Sequence, residues 1–253
     1  MIELARQVAL GAGEILVRKL KQGISIEHKG SIDLVTDADK ASEKYVVDQL
    51  QKLFPSHGIL GEEGSRIEGT SDLLWVIDPI DGTTNFAHGF PYFSVSLGLI
   101  KGNEAVLGVV YNPASNECFW AEKGSGAFLN GTRIAVSKQD KVQASLLATG
   151  FPYDVATTSE DNLSAYERVT KASQGVRCLG SAALDLCQVA SGRIEAFWER
   201  FLHPWDIVAG SLIVVEAGGR ISGCLGQKFN PLGHEICASN GLVHDELLGM
   251  IKG

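Results

Sequence analysis

Two carboxylates follow directly on a buried strand, and this pattern constrains the fold of the 253-residue chain more than any other. The apolar run 73–77 predicts a buried strand that ends at Asp78-Pro79, and Asp81 follows three residues after Asp78. Two acids at the end of a buried strand cost free energy unless a partner compensates their charge. The fold is therefore expected to bring such a partner to this point.

The turn that follows these acids is suited to an anion. If Thr83 opens a short helix, its free backbone amides form an anion site beside Gly82. Carboxylates are the hard oxygen ligands that Mg²⁺ prefers, so residues 78–86 predict a site where Mg²⁺ bridges to a phosphoryl group. The alternative is a polar loop in which Asp81-Gly82 only supplies a turn.

Three further segments carry acids that could join this site: Gly61-Glu62-Glu63-Gly64, Trp205-Asp206, and the run that contains Asp33, Asp37 and Asp39. The first follows a short apolar strand, the second lies in the first turn of an apolar helix, and the third precedes a helix. Solvation, the helix dipole and helix capping are the alternative explanations. Together the segments supply enough carboxylates for two or three divalent cations.

The periodicity of the apolar residues predicts a chain with two halves. Residues 2–21 and 39–53 have helical periodicity, and strands joined by turns follow up to residue 129, which favours helices on a largely antiparallel sheet. From about residue 145 strands alternate with helices, which favours an α/β layer. We therefore expect a mixed α+β and α/β fold in which residues 1–140 and 141–253 form two intimately packed subdomains of one structural unit.

Composition narrows the classes of partner and compartment. The chain has 22 Lys+Arg against 30 Asp+Glu, a net charge of −8, so nucleic acid is not a default partner. It has no apolar run near the roughly 18 residues of a membrane span, and no signal peptide pattern. Its five cysteines form no C-x-x-C pair, which is typical of a reducing compartment. We predict a cytoplasmic protein with no membrane partner.

Motifs of several other catalytic classes are absent from the sequence. It contains no phosphate-binding P-loop, no dinucleotide-binding G-x-G-x-x-G and no G-x-S-x-G nucleophile elbow. The D-x-x-D-G-T spacing is one residue longer than the D-x-D-G-[TV] of aspartyl-phosphate phosphatases. The extra residue favours metal ions over a covalent aspartate.

The acidic segments resemble the signatures of the Mg²⁺-dependent, lithium-sensitive phosphatases typified by inositol monophosphatase. That family carries a G-E-E loop, D-P-[IL]-D-G-T-x-N-F and W-D-x-x-[AG]-G, which occur here in order at 61–63, 78–86 and 205–210. The likeness extends from Asp33 to Gly241. It implies a layered αβαβα sugar-phosphatase fold, a homodimer, and hydrolysis of a phosphate monoester by a metal-activated water.

The resemblance also implies the metal ligands of two or three Mg²⁺ ions: Glu62, Asp78, the main-chain carbonyl of Ile80, Asp81 and Asp206. The first ion would take Glu62, Asp78 and Ile80. The second would take Asp78, Asp81 and Asp206, and a weaker third site would lie near Glu62.

Roles in catalysis and substrate binding follow from the same resemblance. Asp39 and Thr83 are implied to orient the attacking water and help to deprotonate it, with Glu62 beside them. Glu63 and Lys29 would support the site from outside the ring of metal ligands. The amides of Gly82 and Thr83 would hold the phosphate. The sugar or polyol would meet Gly180, Ser181, Ala182 and Glu199.

Because the family residue at Glu199 contacts inositol hydroxyls, the first substrate candidate is myo-inositol 1-phosphate. Arg200 could meet a second phosphate, which leaves fructose 1,6-bisphosphate open, or it could be a surface arginine or a subunit contact. A further alternative is a non-catalytic role, since some bacterial members of the family attach to transcription machinery. The retained ligand set favours catalysis.

Overall fold

The computed structural model describes residues 1–23, 25–28 and 34–252. Within these ranges the chain forms seven α-helices: α1 (Ile2–Gln22), α2 (Asp37–Leu53), α3 (Thr83–Ala87), α4 (Leu163–Ala172), α5 (Ala182–Ala190), α6 (Pro204–Glu216) and α7 (His244–Lys252). A short 3-10 helix covers Val142–Ala144. The helices predicted over 2–21 and 39–53 are therefore confirmed as α1 and α2, with α2 starting two residues earlier.

Most of the first half forms one eight-stranded sheet, ordered β10-β9-β8-β7-β6-β5-β3-β4. Its strands are β3 (Gly58–Gly61), β4 (Arg66–Ile67), β5 (Leu73–Asp81), β6 (Ser94–Lys101), β7 (Glu104–Asn112), β8 (Glu117–Glu122), β9 (Ala127–Leu129) and β10 (Thr132–Ile134). Neighbours are antiparallel except β3 and β5, which are parallel. The prediction of a largely antiparallel first sheet is confirmed.

The second half forms a five-stranded mixed sheet, ordered β12-β11-β13-β15-β14. Its strands are β11 (Leu146–Thr149), β12 (Gly175–Arg177), β13 (Ala196–Arg200), β14 (Arg220–Ser222) and β15 (Glu235–Ser239). Strand β11 is parallel to β12 and β13, whereas β15 is antiparallel to both of its neighbours. The remaining strands, β1 (Ile26–His28) and β2 (Leu34–Thr36), pair with each other.

The two halves share a buried core. One apolar cluster combines Val110 and Phe119 of the first sheet with Phe197 of the second sheet and Ile213 of α6. Helix α6, from the second half, lies against strands of the first sheet. Burying this apolar surface between the halves stabilises their relative position.

Two glycines of the first sheet allow α6 to pack closely against it. Gly98 and Gly108 are direct partners in the β6–β7 pairing. A Cβ added at Gly98 would lie 2.3 Å from Cγ1 of Val208, and one added at Gly108 would lie 2.5 Å from the carbonyl oxygen of Ala209. The helix backbone can approach the sheet this closely only because both positions lack a side chain.

Among the described residues, no helix combines the length and the apolarity needed to cross a membrane. All five cysteines lie in the described part of the chain, and all are free thiols.

We predict that Gly108→Ala destabilises the protein by about 1–3 kcal/mol, because the new methyl group overpacks the contact with the backbone of α6. Urea unfolding measures the change. Gly249→Ala is the matched control, since it lies in α7 with no atom within 4 Å of the added Cβ. The control is expected to gain up to ~1 kcal/mol from helix propensity. Equal unfolding free energies for both variants would contradict the packing argument.

Candidate active site

A β-bulge turns both motif aspartates toward the same place. The sequence predicted that this strand ends at Asp78-Pro79. Strand β5 instead continues to Asp81. Asp78 is paired with Ser96 and Asp81 with Ser94, so three steps on β5 match two on β6. Residues three apart on a regular strand point to opposite faces, and the extra residue reverses this relation. Pro79, which has no N–H group to pair, occupies the bulge.

The parallel pairing of β3 and β5 brings a second acidic segment to this point. Gly61 is paired with Ile77, so the loop after β3 begins beside Asp78. The amide of Glu62 donates a hydrogen bond to the carbonyl of Ile77 at 3.2 Å. A side-chain hydrogen bond also joins Glu62 to Asp78. The structure thus brings Glu62 to Asp78.

The first turn of α6 contributes the third acid. Asp206 accepts a 2.6 Å hydrogen bond from the amide of His203, which caps the helix. The carbonyl of Trp205 accepts a 3.0 Å hydrogen bond from the hydroxyl of Ser96, the cross-strand partner of Asp78. The close packing of α6 on Gly98 and Gly108, together with this hydrogen bond, places Asp206 opposite β5.

Three carboxylates converge as a result. One oxygen each from Asp78, Asp81 and Asp206 lies within 4.8 Å of the others. Burial is the main cause that raises the pKa of all three. The charges of Glu62, Asp81 and Asp206 raise the pKa of Asp78 further, well above its usual range. The pKa of Asp81 rises only to about 6, because the Ser181 hydroxyl and backbone amides of α5 stabilise its charged form.

Among the described residues, no cationic side chain pairs with these three carboxylates. Asp78 and Asp81 are 2% and 7% exposed. None of the ion pairs formed between described residues includes Asp78, Asp81 or Asp206. Unpaired buried carboxylates cost several kcal/mol each, so the ionised cluster favours a cation that the described residues do not supply. Its donors are all oxygens, the set that suits Mg²⁺ rather than a thiolate- or imidazole-seeking metal.

A buried acid and hydroxyl lie next to this cluster. Asp39 is fully buried in the capping box of α2, where its Oδ2 accepts 2.7 Å hydrogen bonds from the amide and the hydroxyl of Thr36. The Thr83 hydroxyl lies 3.2 Å from Asp39 Oδ1 and 2.9 Å from the carbonyl oxygen of Ile80. Burial raises the pKa of Asp39 to about 6 against the opposing hydrogen bonds from Thr36.

The turn after Asp81 has the conformation that the sequence suggested. Gly82 adopts a left-handed backbone with φ of +94° and precedes α3, which begins at Thr83. The short helix expected at Thr83 is therefore confirmed. The amide of Ile80 donates a 2.9 Å hydrogen bond to Asp78 Oδ1, which fixes the backbone between the two aspartates.

The predicted polyol contacts lie on the second half of the chain. Ser181 caps α5, and its hydroxyl and the amide of Ala183 donate hydrogen bonds to Asp81 Oδ2, the latter at 2.9 Å. Glu199 lies near the end of β13, where burial raises its pKa well above the usual range. A Cβ at Gly150 would lie 2.2 Å from the Glu199 carboxylate, so this glycine provides the space for it.

Arg200 lies on the other face of β13. Successive strand residues point to opposite sides, and Arg200 forms ion pairs with Glu160 at 3.0 Å and with its cross-strand partner Glu235 at 3.5 Å. Its guanidinium also lies over the ring of Phe201. These partners are surface groups, so the structure does not bring Arg200 together with the carboxylate cluster.

Two supporting residues on α2 were not found from the sequence. Glu43 accepts hydrogen bonds from the amides of Glu63 at 2.8 Å and Ser65 at 3.0 Å, and thereby holds the loop that carries Glu62. Ser42 donates a 3.1 Å hydrogen bond to the carbonyl of Pro79 in the bulge. In the sequence, both residues lie within a predicted helix and belong to no motif, so nothing there marks them as supports of this site. Lys29 and Asp33, which were also considered, lie outside the described residues.

Comparison with known proteins shows the family of the chain. A model of the inositol monophosphatase family matches residues 1–251. The chain is 42% identical to the Nus factor SuhB of Pseudomonas aeruginosa over 260 residues, which cover all of this chain and 96% of the relative. It is 41% identical over 252 residues to the fructose-1,6-bisphosphatase/inositol-1-monophosphatase of Thermotoga maritima, covering 99% of this chain and 94% of that protein.

A solved structure supports the same relationship at the level of the fold. The inositol monophosphatase of Anabaena superposes with a TM-score of 0.91 and 39% identity, over 99% of this chain and 94% of that one. The mixed two-sheet fold predicted from the sequence is confirmed by this match. With the family model spanning almost every residue, the chain belongs to the inositol monophosphatase family, a family of phosphatases.

Proposed function

We propose that this protein is a Mg²⁺-dependent phosphomonoesterase that hydrolyses a small polyol or sugar phosphate by attack of an activated water. The observation that carries the proposal is the convergence of Asp78, Asp81 and Asp206 without a cationic partner from the described chain. Glu62 and the carbonyl of Ile80 complete the proposed ligand set. Two or three ions are proposed, and the family is in general Mg²⁺-dependent.

The chain's own residues prepare the attack on phosphorus. Bound divalent cations would lower the pKa of the attacking water and stabilise the charge on the leaving oxygen. Thr83 Oγ1 is proposed to accept the water's proton while its own proton passes to Asp39 Oδ1, which lies 3.2 Å away. A base with a pKa near 6 is ionised at neutral pH and still accepts a proton effectively. The Gly82 and Thr83 amides are proposed to bind the phosphate.

The substrate proposal is myo-inositol 1-phosphate. The segment Gly180, Ser181 and Ala182 lies beside the phosphate turn. Glu199 is proposed to accept hydrogen bonds from substrate hydroxyls. Relatives named inositol-1-monophosphatase, such as that of Caulobacter vibrioides, support this choice. Lithium inhibition is proposed on the same family grounds.

Fructose 1,6-bisphosphate is the second candidate. The Thermotoga maritima relative carries both activities in its name. Arg200 was considered as the contact for a second phosphate, but its ion pairs with Glu160 and Glu235 do not support that role. The second candidate therefore depends on the relative alone.

A role outside catalysis is a further candidate, because two relatives are named Nus factor SuhB. The carboxylate cluster favours an enzyme whether or not the protein also binds a partner.

We also propose a homodimer, a cytoplasmic location supported by the free cysteines, and subdomains 1–140 and 141–253 that form one unit around the shared core.

The first prediction concerns the substrate. With Mg²⁺ present, the purified protein is expected to release phosphate from myo-inositol 1-phosphate faster than from fructose 1,6-bisphosphate, and Li⁺ is expected to slow the release. A colorimetric phosphate assay across a panel of monoesters measures this. Faster release from the bisphosphate would reverse the choice of substrate, and no release from any ester would overturn the enzyme proposal.

The second prediction concerns the proposed ligands. Asp206→Asn and Asp81→Asn each remove a carboxylate charge from the proposed site, and turnover at saturating Mg²⁺ is expected to fall by orders of magnitude while the fold persists. Circular dichroism checks the fold. Asp48→Asn is the control, because Asp48 forms only an exposed pair with Lys44 on α2. Near-normal turnover in either site variant would refute the ligand assignment.

The third prediction concerns pH. Asp39 and Asp81 have pKa values of about 6 in the fold, against about 4 in an unfolded chain, a difference that corresponds to roughly 3 kcal/mol for one group. Because the folded protein holds protons that the unfolded chain has lost, the metal-free protein loses stability as the pH rises from 4 through 6. A cation bound by Asp81 would replace the proton on that residue, so added Mg²⁺ is expected to stabilise the protein more at pH 8 than at pH 5.

Thermal unfolding with Mg²⁺ and with a chelator, at both pH values, measures this difference. Asp206→Asn should show a smaller Mg²⁺ effect at pH 8, because the proposed site has lost one ligand. A Mg²⁺ effect that is equal or larger at pH 5 would contradict the prediction.

A further inference from the structure

Asn85 of α3 joins two segments that are far apart in the sequence. Its side-chain Nδ2 donates 2.7 Å hydrogen bonds to the carbonyls of Tyr92 and Leu179, which use both N–H groups of the amide. Leu179 belongs to the second half of the chain, 94 residues away. Asn85 therefore links the phosphate turn to the segment that carries the proposed polyol contacts.

The backbones of these segments touch at two glycines. Gly82 and Gly180 have φ values of +94° and +83°. A Cβ added at Gly82 would lie 2.9 Å from the carbonyl oxygen of Gly180, and one added at Gly180 would lie 3.0 Å from Nδ2 of Asn85. The contact is therefore made by the two backbones and by the Asn85 amide. Among the described residues, no other side chain lies between Gly82 and Gly180 that could change the distance between the segments.

Asp81 attaches the same segments on the other side of the turn. It accepts hydrogen bonds from the Ser181 hydroxyl and the Ala183 amide, so two side chains four residues apart hold the two backbones together. Asp81 is a proposed metal ligand, and its position is therefore constrained by the cluster as well. Asn85 lies outside that cluster, and its amide donates to backbone carbonyls, those of Leu179 and Tyr92.

We propose that Asn85 is a positioning residue that fixes the polyol-binding segment relative to the phosphate turn and thereby sets selectivity for polyol phosphates. This inference rests on the proposed function. The phosphate contacts are common to every monoester, whereas only a polyol substrate also needs the segment after Leu179. A small displacement between the two would weaken alignment of the polyol ester and leave an ester without hydroxyl groups largely unaffected.

The test compares kcat/KM for myo-inositol 1-phosphate with kcat/KM for 4-nitrophenyl phosphate. In Asn85→Ala, the ratio of the two is expected to fall roughly tenfold or more, while 4-nitrophenyl phosphate is turned over at a rate within about threefold of the wild type. If this variant does not fold, Asn85→Ser, which keeps one side-chain donor but shortens its reach, is expected to lower the same ratio.

Asn240→Ala is the matched control. The Asn240 amide also joins distant parts of the chain, donating to the Ser137 hydroxyl at 3.0 Å and the Gln139 carbonyl at 2.7 Å. It follows the end of β15 that pairs with Ala196, at the opposite end of β13 from Glu199. This variant is expected to lose stability but keep the ratio.

Equal loss of both activities in Asn85→Ala, or an unchanged ratio, would overturn the positioning role. A fall in the ratio of Asn240→Ala as large as that of Asn85→Ala would overturn it as well. A wild-type enzyme that does not prefer the polyol ester would refute the proposed substrate and this inference together. That outcome is visible before any variant is measured, so the two failures are distinguishable.

Discussion

The structure depends on the enforced proximity of buried carboxylates. Asp78, Asp81 and Asp206 come from two elements, and each is held where burial and its neighbours oppose its negative charge. The features that hold them are specific: a bulge at Pro79, a pair of glycines under α6, and the amides of α5. Such an arrangement is unfavourable without a cation, and we propose that it becomes a phosphate site once a cation is bound. The acidic net charge of the chain is thus compatible with an anionic substrate.

Much of this site follows from local sequence. The D-P-I-D-G-T string predicted two neighbouring acids and a short helix that begins at Thr83, and the structure has both. Anion binding at this turn stays a prediction. Helical periodicity found α1 and α2, whereas α6 was expected as an apolar helix with Asp206 in its first turn. Asp206 was one of several acids that could join the site, and only the family resemblance selected it as a ligand. No local rule relates the start of a helix to a strand that lies far earlier in the chain.

Other features depend on contacts between distant residues and leave no local signal. The strand was expected to stop before Pro79, but a bulge lets β5 continue and turns Asp78 and Asp81 to one side. Glu43 has the pattern of an ordinary helical acid, yet it holds the loop of Glu62. Arg200 directly follows Glu199 in the sequence, and only its place on β13 shows that the two side chains point to opposite faces of the sheet.

The central claim is that the carboxylate cluster holds a divalent cation, and diffraction from crystals grown with Mn²⁺ tests it most directly. Mn²⁺ takes oxygen ligands like those of Mg²⁺ and scatters anomalously, so its position is observed without assumption about the reaction. The account predicts an anomalous peak between Asp78, Asp81 and Asp206, at about 2.2 Å from their oxygens. A cluster without a peak, in crystals that show bound Mn²⁺ elsewhere or none at all, would contradict it.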